Sequence, residues 1–276
     1  MTTAYDPRSI AAYFDTFAER EWTRLTRSPA DEISLAIHTD YLERHVASGA
    51  RVLEIGAGPG RFTEVLARLD ARVVVADISG VQLGLNERMA AERGFEHAVV
   101  DRRQIDICDL AVFKSGTFDT VVAFGGPFSY VLDRRDVALA ECLRVLRPGG
   151  MLLLSVMSLW GSAHARLPGV LDTPISDNLK VTRSGDITPE TLPGRPGGYM
   201  HLFRVDELFQ WLRGSGMEIA AMSASGCLCI AWDAALATIR ADPEKWAELL
   251  RMELEASADP ACLGMGTHLI VVARKP

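Results

Sequence analysis

"LEIGAGPGRF", residues 53–62, decides how this chain folds. An apolar run beginning at "ARVLEI" meets glycines at alternate positions, Gly56, Gly58 and Gly60, and then Arg61 and Phe62. A buried strand that ends in glycines and opens a helix brings backbone close to a ligand. A dinucleotide loop needs glycine at the sixth position counted from Gly56, where Arg61 stands. A phosphate-cradling loop needs Gly-Lys-Ser/Thr, which is absent. Glu54, just ahead of the glycines, suits a ligand with a cationic group better than a pyrophosphate.

Outward from the loop, strands and helices alternate. Phe62, Val65, Leu66 and Leu69 mark a helix face; "ARVVVADIS" is a second buried strand, and Ser79 caps the helix of Val81, Leu85 and Met89, which stops at Gly94. "HAVVDRRQIDICDL" holds a third strand of open register, "FDTVVAFGG" a fourth and "MLLLSVM" a fifth, with a helix of Leu139, Leu143 and Leu146 stopped by "RPGG" between the last two. This order over 51–157 predicts right-handed βαβ units and a parallel sheet covered on both faces. Before it, Ile10, Tyr13, Phe14 and Phe17 share one helical face, and a second helix spans about 31–47. After it, 158–200 is punctuated by "DTP", "LPG" and "GRPGG", too long for a plain connection. A helix at about 206–213, a strand "MEIAAMSAS", helix over 233–256 with a break at Pro243, and a last strand "THLIVVARKP" complete the chain. Short gaps around the last two strands predict antiparallel pairing.

Composition narrows the function. The 276 residues carry a net charge of −7 and no basic stripe, so a small substrate is favoured over nucleic acid or an anionic membrane. The amino terminus lacks the pattern of a signal peptide, and no apolar run reaches spanning length. Five scattered cysteines point to a reducing, cytoplasmic setting; Cys227 and Cys229 read as small buried hydrophobes rather than metal ligands, and no metal site is expected.

Three further elements bear on a ligand. Asp77 ends the valine-rich strand, where an acid takes ribose hydroxyls. Asp106-Ile107 follows the third strand and offers an acceptor for an exocyclic amine beside a cover for a flat ring, with Asp101 as rival. Phe124-Gly125-Gly126-Pro127 brings backbone to the carboxyl edge of the sheet.

Together "VLEIGAGPGRF", "VVVADIS", "IDICDL", "FDTVVAFGGPF" and "LRVLRPGGMLLLS" resemble the class I S-adenosylmethionine-dependent methyltransferases, and the chain is similar to their bacterial small-molecule type. The resemblance is close over 51–157 and weaker over "ELFQWLRGSGMEI" and "HLIVVARKP". It implies a doubly wound, Rossmann-like α/β sheet of seven strands in the order 3-2-1-4-5-7-6, the last antiparallel. It implies a helical cap at 1–48 and a cofactor-binding domain at 49–276, whose insertions 158–204 and 226–265 cover the acceptor. S-adenosylmethionine is the implied cofactor. Gly56, Gly58, Gly60 and Phe124 would hold its methionine end, with Glu54 supporting the loop and Tyr13 or Arg24 near the carboxylate. Asp77, Ile78 and Gln82 would take the ribose, and Asp106 and Ile107 the adenine.

The implied reaction is methyl transfer to a small-molecule oxygen, nitrogen, sulfur or carbon, driven by proximity and orientation. His201 is the candidate base and Tyr199 a hydrogen-bonding alternative, both in "GGYMHLFRVDEL". His38 and His164 rank lower, and His268, in the final strand, reads as structural. A peptide methyltransferase and a cofactor-binding regulator without turnover are the alternatives. A monomer or homodimer is expected.

Overall fold

Val73, Val74 and Val75 make β2 (Arg72–Asp77) a strand with apolar side chains on both faces. The computed structural model describes residues 5–195 and 198–276, so Met1–Ala4 and the Pro196-Gly197 step of the expected "GRPGG" turn lie outside the described residues. The other strands are β1 (Arg51–Ile55), β3 (Val99–Gln104), β4 (Phe118–Ala123), β5 (Leu146–Met157), β6 (Asp186–Ile187), β7 (Met200–His201), β8 (Glu218–Ala224) and β9 (His268–Arg274). The large sheet runs β3-β2-β1-β4-β5-β9-β8, and β6 pairs with β7 in a separate ribbon. Leaving that ribbon out, the sheet has the expected order, and β9 runs antiparallel to both its neighbours.

Alternation along the strands divides the core into two layers. Leu53, Val74, Val121 and Leu152 face one cluster, and Val52, Val73, Val122 and Leu153 face the other. Helices cover both faces, which is why the central strands are apolar throughout. Before the sheet come α1 (Pro7–Asp15), α2 (Arg20–Thr23) and α3 (Pro29–His45). Within its parallel part are α4 (Arg61–Arg68), α5 (Gly80–Arg93), α6 (Pro127–Tyr130) and α7 (Arg135–Val145). Ser79 caps α5 as expected, its hydroxyl accepting from the Gln82 N–H at 3.0 Å.

The insertion folds into α8 (Leu159–Ala165), α9 (Leu167–Leu171), α10 (Ile175–Ser184) and the β6–β7 ribbon. Then follow α11 (Val205–Gly214), α12 (Asp233–Arg240) and α13 (Pro243–Ser257), the last starting at the expected Pro243. One local expectation shifts. Leu146 leaves α7 and begins β5, so "RPGG" lies in a bulged strand entry rather than a helix stop. Cys227 and Cys229 lie in a loop, where the buried Glu253 carboxylate accepts both their backbone N–H groups, at 2.9 and 2.6 Å. Among the described residues, no helix is long and apolar enough to cross a membrane.

Candidate active site

The turns after β1, β2, β3 and β4 all open at one edge of the sheet, and a cavity of about 630 Å³ lies there. That is the carboxyl edge of the parallel strands, where α/β sheets bind ligands.

The glycine loop lines the cavity through Gly56, Ala57 and Gly58. Gly56 has φ +68°, and a Cβ there would sit 2.7 Å from Pro127, so the glycine lets the β1 turn pack on the β4 turn. The Gly58 N–H donates to Asp77 Oδ2 at 2.8 Å, and the Ser79 N–H donates to Asp77 Oδ1 at 2.9 Å. Burial pushes the Asp77 carboxyl up to about 6 against these two donors. Each of its oxygens keeps acceptor capacity for a ligand hydroxyl. Gln82 Oε1 is buried without a partner among the described residues, while Gln82 Nε2 donates to the Phe14 carbonyl at 3.1 Å. That bond ties α1 to α5, and the Ser79 hydroxyl ties α1 again through Asp15.

The structure brings most of the expected cofactor residues to this cavity: Gly56, Gly58, Asp77, Ile78 and Gln82, together with Ile107, Phe124, Tyr13 and Arg24. Three stand back from it. Glu54 is buried behind the loop and accepts from the Thr63 hydroxyl at 2.7 Å. Burial pushes its carboxyl up to about 8, so it is a neutral acid near pH 7 rather than a charge facing the ligand. Gly60 is the left-handed N-cap of α4, where a Cβ would meet Asn86 at 2.7 Å; it shapes the turn without lining the cavity. Asp106 stands beside the cavity, its Oδ1 accepting from the Tyr5 hydroxyl at 3.0 Å and the Cys108 N–H at 2.8 Å. Its rival Asp101 lies inside β3, paired with Arg103.

His201 does not line the cavity, although its neighbours Met200 and Leu202 do. Its Nδ1 meets Asp186 Oδ1 at 2.7 Å and its Nε2 meets Glu207 Oε1 at 2.8 Å. Burial alone would lower its pKa, but the two carboxylates outweigh burial and hold the ring above its ordinary value. Glu207, also paired with Arg135, is held down to about 2 although burial opposes this. With both nitrogens engaged, His201 is placed to pin the β6–β7 ribbon to α11 and has no free lone pair for a substrate proton. Tyr199 also lies outside the cavity lining.

Sequence reasoning took His268 as structural. It is the first residue of β9 and pairs with Met157, the last residue of β5. An antiparallel strand begins where its parallel neighbours end, so His268 stands at the ligand edge. It lines the cavity, and its Nε2 is buried without a hydrogen-bond partner among the described residues. Burial lowers its pKa well below the ordinary value, and His38, Arg24 and Arg166 add to this. Arg166 and Arg195 of the insertion line the same region, with Arg195 Nε buried and unpartnered among the described residues. Periodicity could not show these residues, but the predicted reversal of the last strand carried the signal for His268.

Comparisons with known proteins agree with this geometry. A family model described as a methyltransferase domain matches residues 53–154. The ubiquinone biosynthesis O-methyltransferase of Nitrosococcus oceani is 28% identical over 216 residues, 78% of this chain and 83% of that protein. The enzyme of the same name from Xanthomonas oryzae pv. oryzae is 30% identical over 189 residues, 68% of this chain and 71% of that protein. Among solved structures, the CcbJ methyltransferase of Streptomyces caelestis superposes with a TM-score of 0.60 at 18% identity, covering 98% of this chain and 99% of that one. The chain belongs to the class I S-adenosylmethionine-dependent methyltransferases. It is an enzyme, and S-adenosylmethionine is its cofactor. The donor set fits that molecule: a buried amide oxygen awaiting a donor at Gln82, a carboxylate at Asp77, and backbone without side chains at Gly56 and Gly58.

Proposed function

We propose that this enzyme methylates a hydroxyl oxygen on a small aromatic molecule. The observation that carries the reading is the aromatic lining of the cavity beyond the glycine loop. Tyr13, Phe14, Phe17, Phe124 and Tyr130 line it, and Arg24, Arg166 and Arg195 stand among them. Aromatic side chains hold a flat ring, and guanidinium groups stabilise an oxygen that gains negative charge. The names of the two relatives support oxygen as the acceptor atom.

In this reading Asp77 and Gln82 hold the ribose, Ile78 and Ile107 sandwich the adenine, and the second Asp106 oxygen faces its amine. Backbone at Gly56, Gly58 and Phe124 holds the methionine end, with Arg24 at its carboxylate. When bound, the cofactor supplies an electrophilic methyl group on a sulfonium. The chain supplies orientation and a dry site. In this reading the N-terminal helices and the insertion 158–204 form the cover, fastened where Gln82 and Ser79 grip α1, whereas 226–265 lines none of the cavity and packs α12 and α13 on α3. Holding two reactants in line accounts for most of the acceleration in such a transfer.

Incubating the enzyme with S-adenosylmethionine and catechol tests the reading. Mass spectrometry should find a product heavier by one methylene, as a methyl ether. Saturable cofactor binding by calorimetry without any such product would reject the oxygen-acceptor reading and leave the cofactor assignment standing.

A further inference from the structure

We propose that His268 is the general base of the acceptor site, its Nε2 taking the proton of a phenolic hydroxyl as the methyl group reaches the oxygen. This rests on the oxygen-acceptor reading above. Four observations carry it. First, Nε2 is buried at a cavity-lining residue and has no hydrogen-bond partner among the described residues. An unpaired buried polar atom is costly, and at a cavity a ligand is the natural partner. Second, Nδ1 lies 3.2 Å from Thr267 Oγ1, which in turn lies 3.5 Å from Ser225 Oγ. With Nδ1–H donating to the threonine oxygen, the lone pair is left on Nε2. Third, the backbone is fixed on both sides: the His268 N–H donates to Ser225 Oγ at 3.0 Å, and the Ser225 N–H donates to the His268 carbonyl at 3.0 Å. The ring is therefore carried on a rigid strand end. Fourth, the other histidine nearby stands off the cavity. His38 has its Nε2 likewise unpartnered among the described residues, but it does not line the cavity; its Nδ1–H donates to the Ser34 carbonyl at 2.8 Å, and its ring packs 4.9 Å from Phe124.

The proton balance is simple. The acceptor O–H bond breaks and its proton passes to Nε2. The new C–O bond forms as the methyl–sulfur bond breaks, and that electron pair stays on sulfur as a neutral thioether. Arg24, Arg166 and His38 act on His268 from three different segments, and all of them are basic. Burial first, and these groups after it, lower its pKa and make the imidazole a weak base. A weak base matches an acidic hydroxyl, so the assignment favours a phenol over an aliphatic alcohol.

The test compares the wild-type enzyme with His268→Gln and His268→Ala on phenol, para-chlorophenol and para-nitrophenol, with S-adenosylmethionine saturating. Assayed at about pH 8.5, the expected kcat loss is on the order of 100-fold for phenol and shrinks toward none for para-nitrophenol, which is then mostly ionised in solution. KM and S-adenosylhomocysteine affinity should stay within a few-fold. A loss equal across the series, or no loss, overturns the base assignment alone. If wild-type enzyme methylates none of the three, the oxygen-acceptor reading falls and the base falls with it. Nitrogen NMR of the wild-type histidines, without cofactor, decides independently of turnover and of how the variants fold. An unprotonated His268 Nε2 is expected at neutral pH, and a protonated Nε2 refutes the proposal.

Discussion

The two ends of the cavity are built by different means. The cofactor end consists of short turns, each following a parallel strand and each visible as a local pattern of glycines, acids and apolar residues. The acceptor end is assembled from α1, an insertion of nearly fifty residues and the first residue of a reversed strand. The first end can be read from neighbours in sequence, whereas the second depends on what the topology brings together. His201 and His268 show the consequence. His201 is buried with both nitrogens held by carboxylates, whereas His268 is half-buried and keeps a buried Nε2 without a partner among the described residues at the cavity.

The comparison breaks first at Asp77. Asp77→Ala should weaken S-adenosylmethionine binding on the order of 100-fold, about 3 kcal/mol, since two charge-assisted hydroxyl contacts are lost. Calorimetry with wild-type affinity for the variant would dissolve the cofactor end as drawn. Affinity should also fall below pH about 6 in the wild-type enzyme, as the Asp77 carboxyl protonates.

His201→Gln sharpens the contrast at the other end. It should cost about 1–2 kcal/mol of stability, discounted for the partial exposure of Asp186 and Glu207, while leaving the phenol series unaltered in its slope. The folded pKa of His201 is raised, so its stabilisation is complete below the unfolded value near 6.5 and is lost as pH rises through the folded value. Thermal melts should therefore separate wild type from variant at pH 6 and converge in alkali. A slope change in the phenol series would return His201 to the chemistry.

The smallest effect concerns Glu54. Its raised carboxyl pKa means that its stabilisation is complete below the unfolded value of 4.5 and disappears as pH climbs through about 8. Glu54→Gln should match wild type near pH 4.5, melt higher than it at pH 7 and keep that advantage at pH 9. A variant that melts lower at pH 7 and pH 9 would show that the carboxyl is charged in the fold.

The sheet order, both core faces and the parallel strands were legible because alternation and glycine punctuation are local. Asp77, Ile78 and Gln82 were legible for the same reason. Glu54 was placed correctly in sequence but misjudged in charge, because burial behind Thr63 is a property of packing. His201 looked like a base because it follows an irregular insertion. Its partners Asp186 and Glu207 come from β6 and α11, and only folding reveals that they claim the ring. His268 was hidden by its own strand: it heads five buried residues that read as core, and nothing local marks which end faces a ligand.

That reversed strand also fixes an exit route. His268 stands at the cavity, and Lys275, just past the other end of β9, donates from Nζ to the carbonyls of Leu143 and Leu146 at 2.7 Å each. Seven residues of strand place these ends about 20 Å apart. Whatever follows Pro276, native or fused, thus leaves from the face opposite the site. An enzyme tethered to a surface there would keep its mouth turned toward the solution.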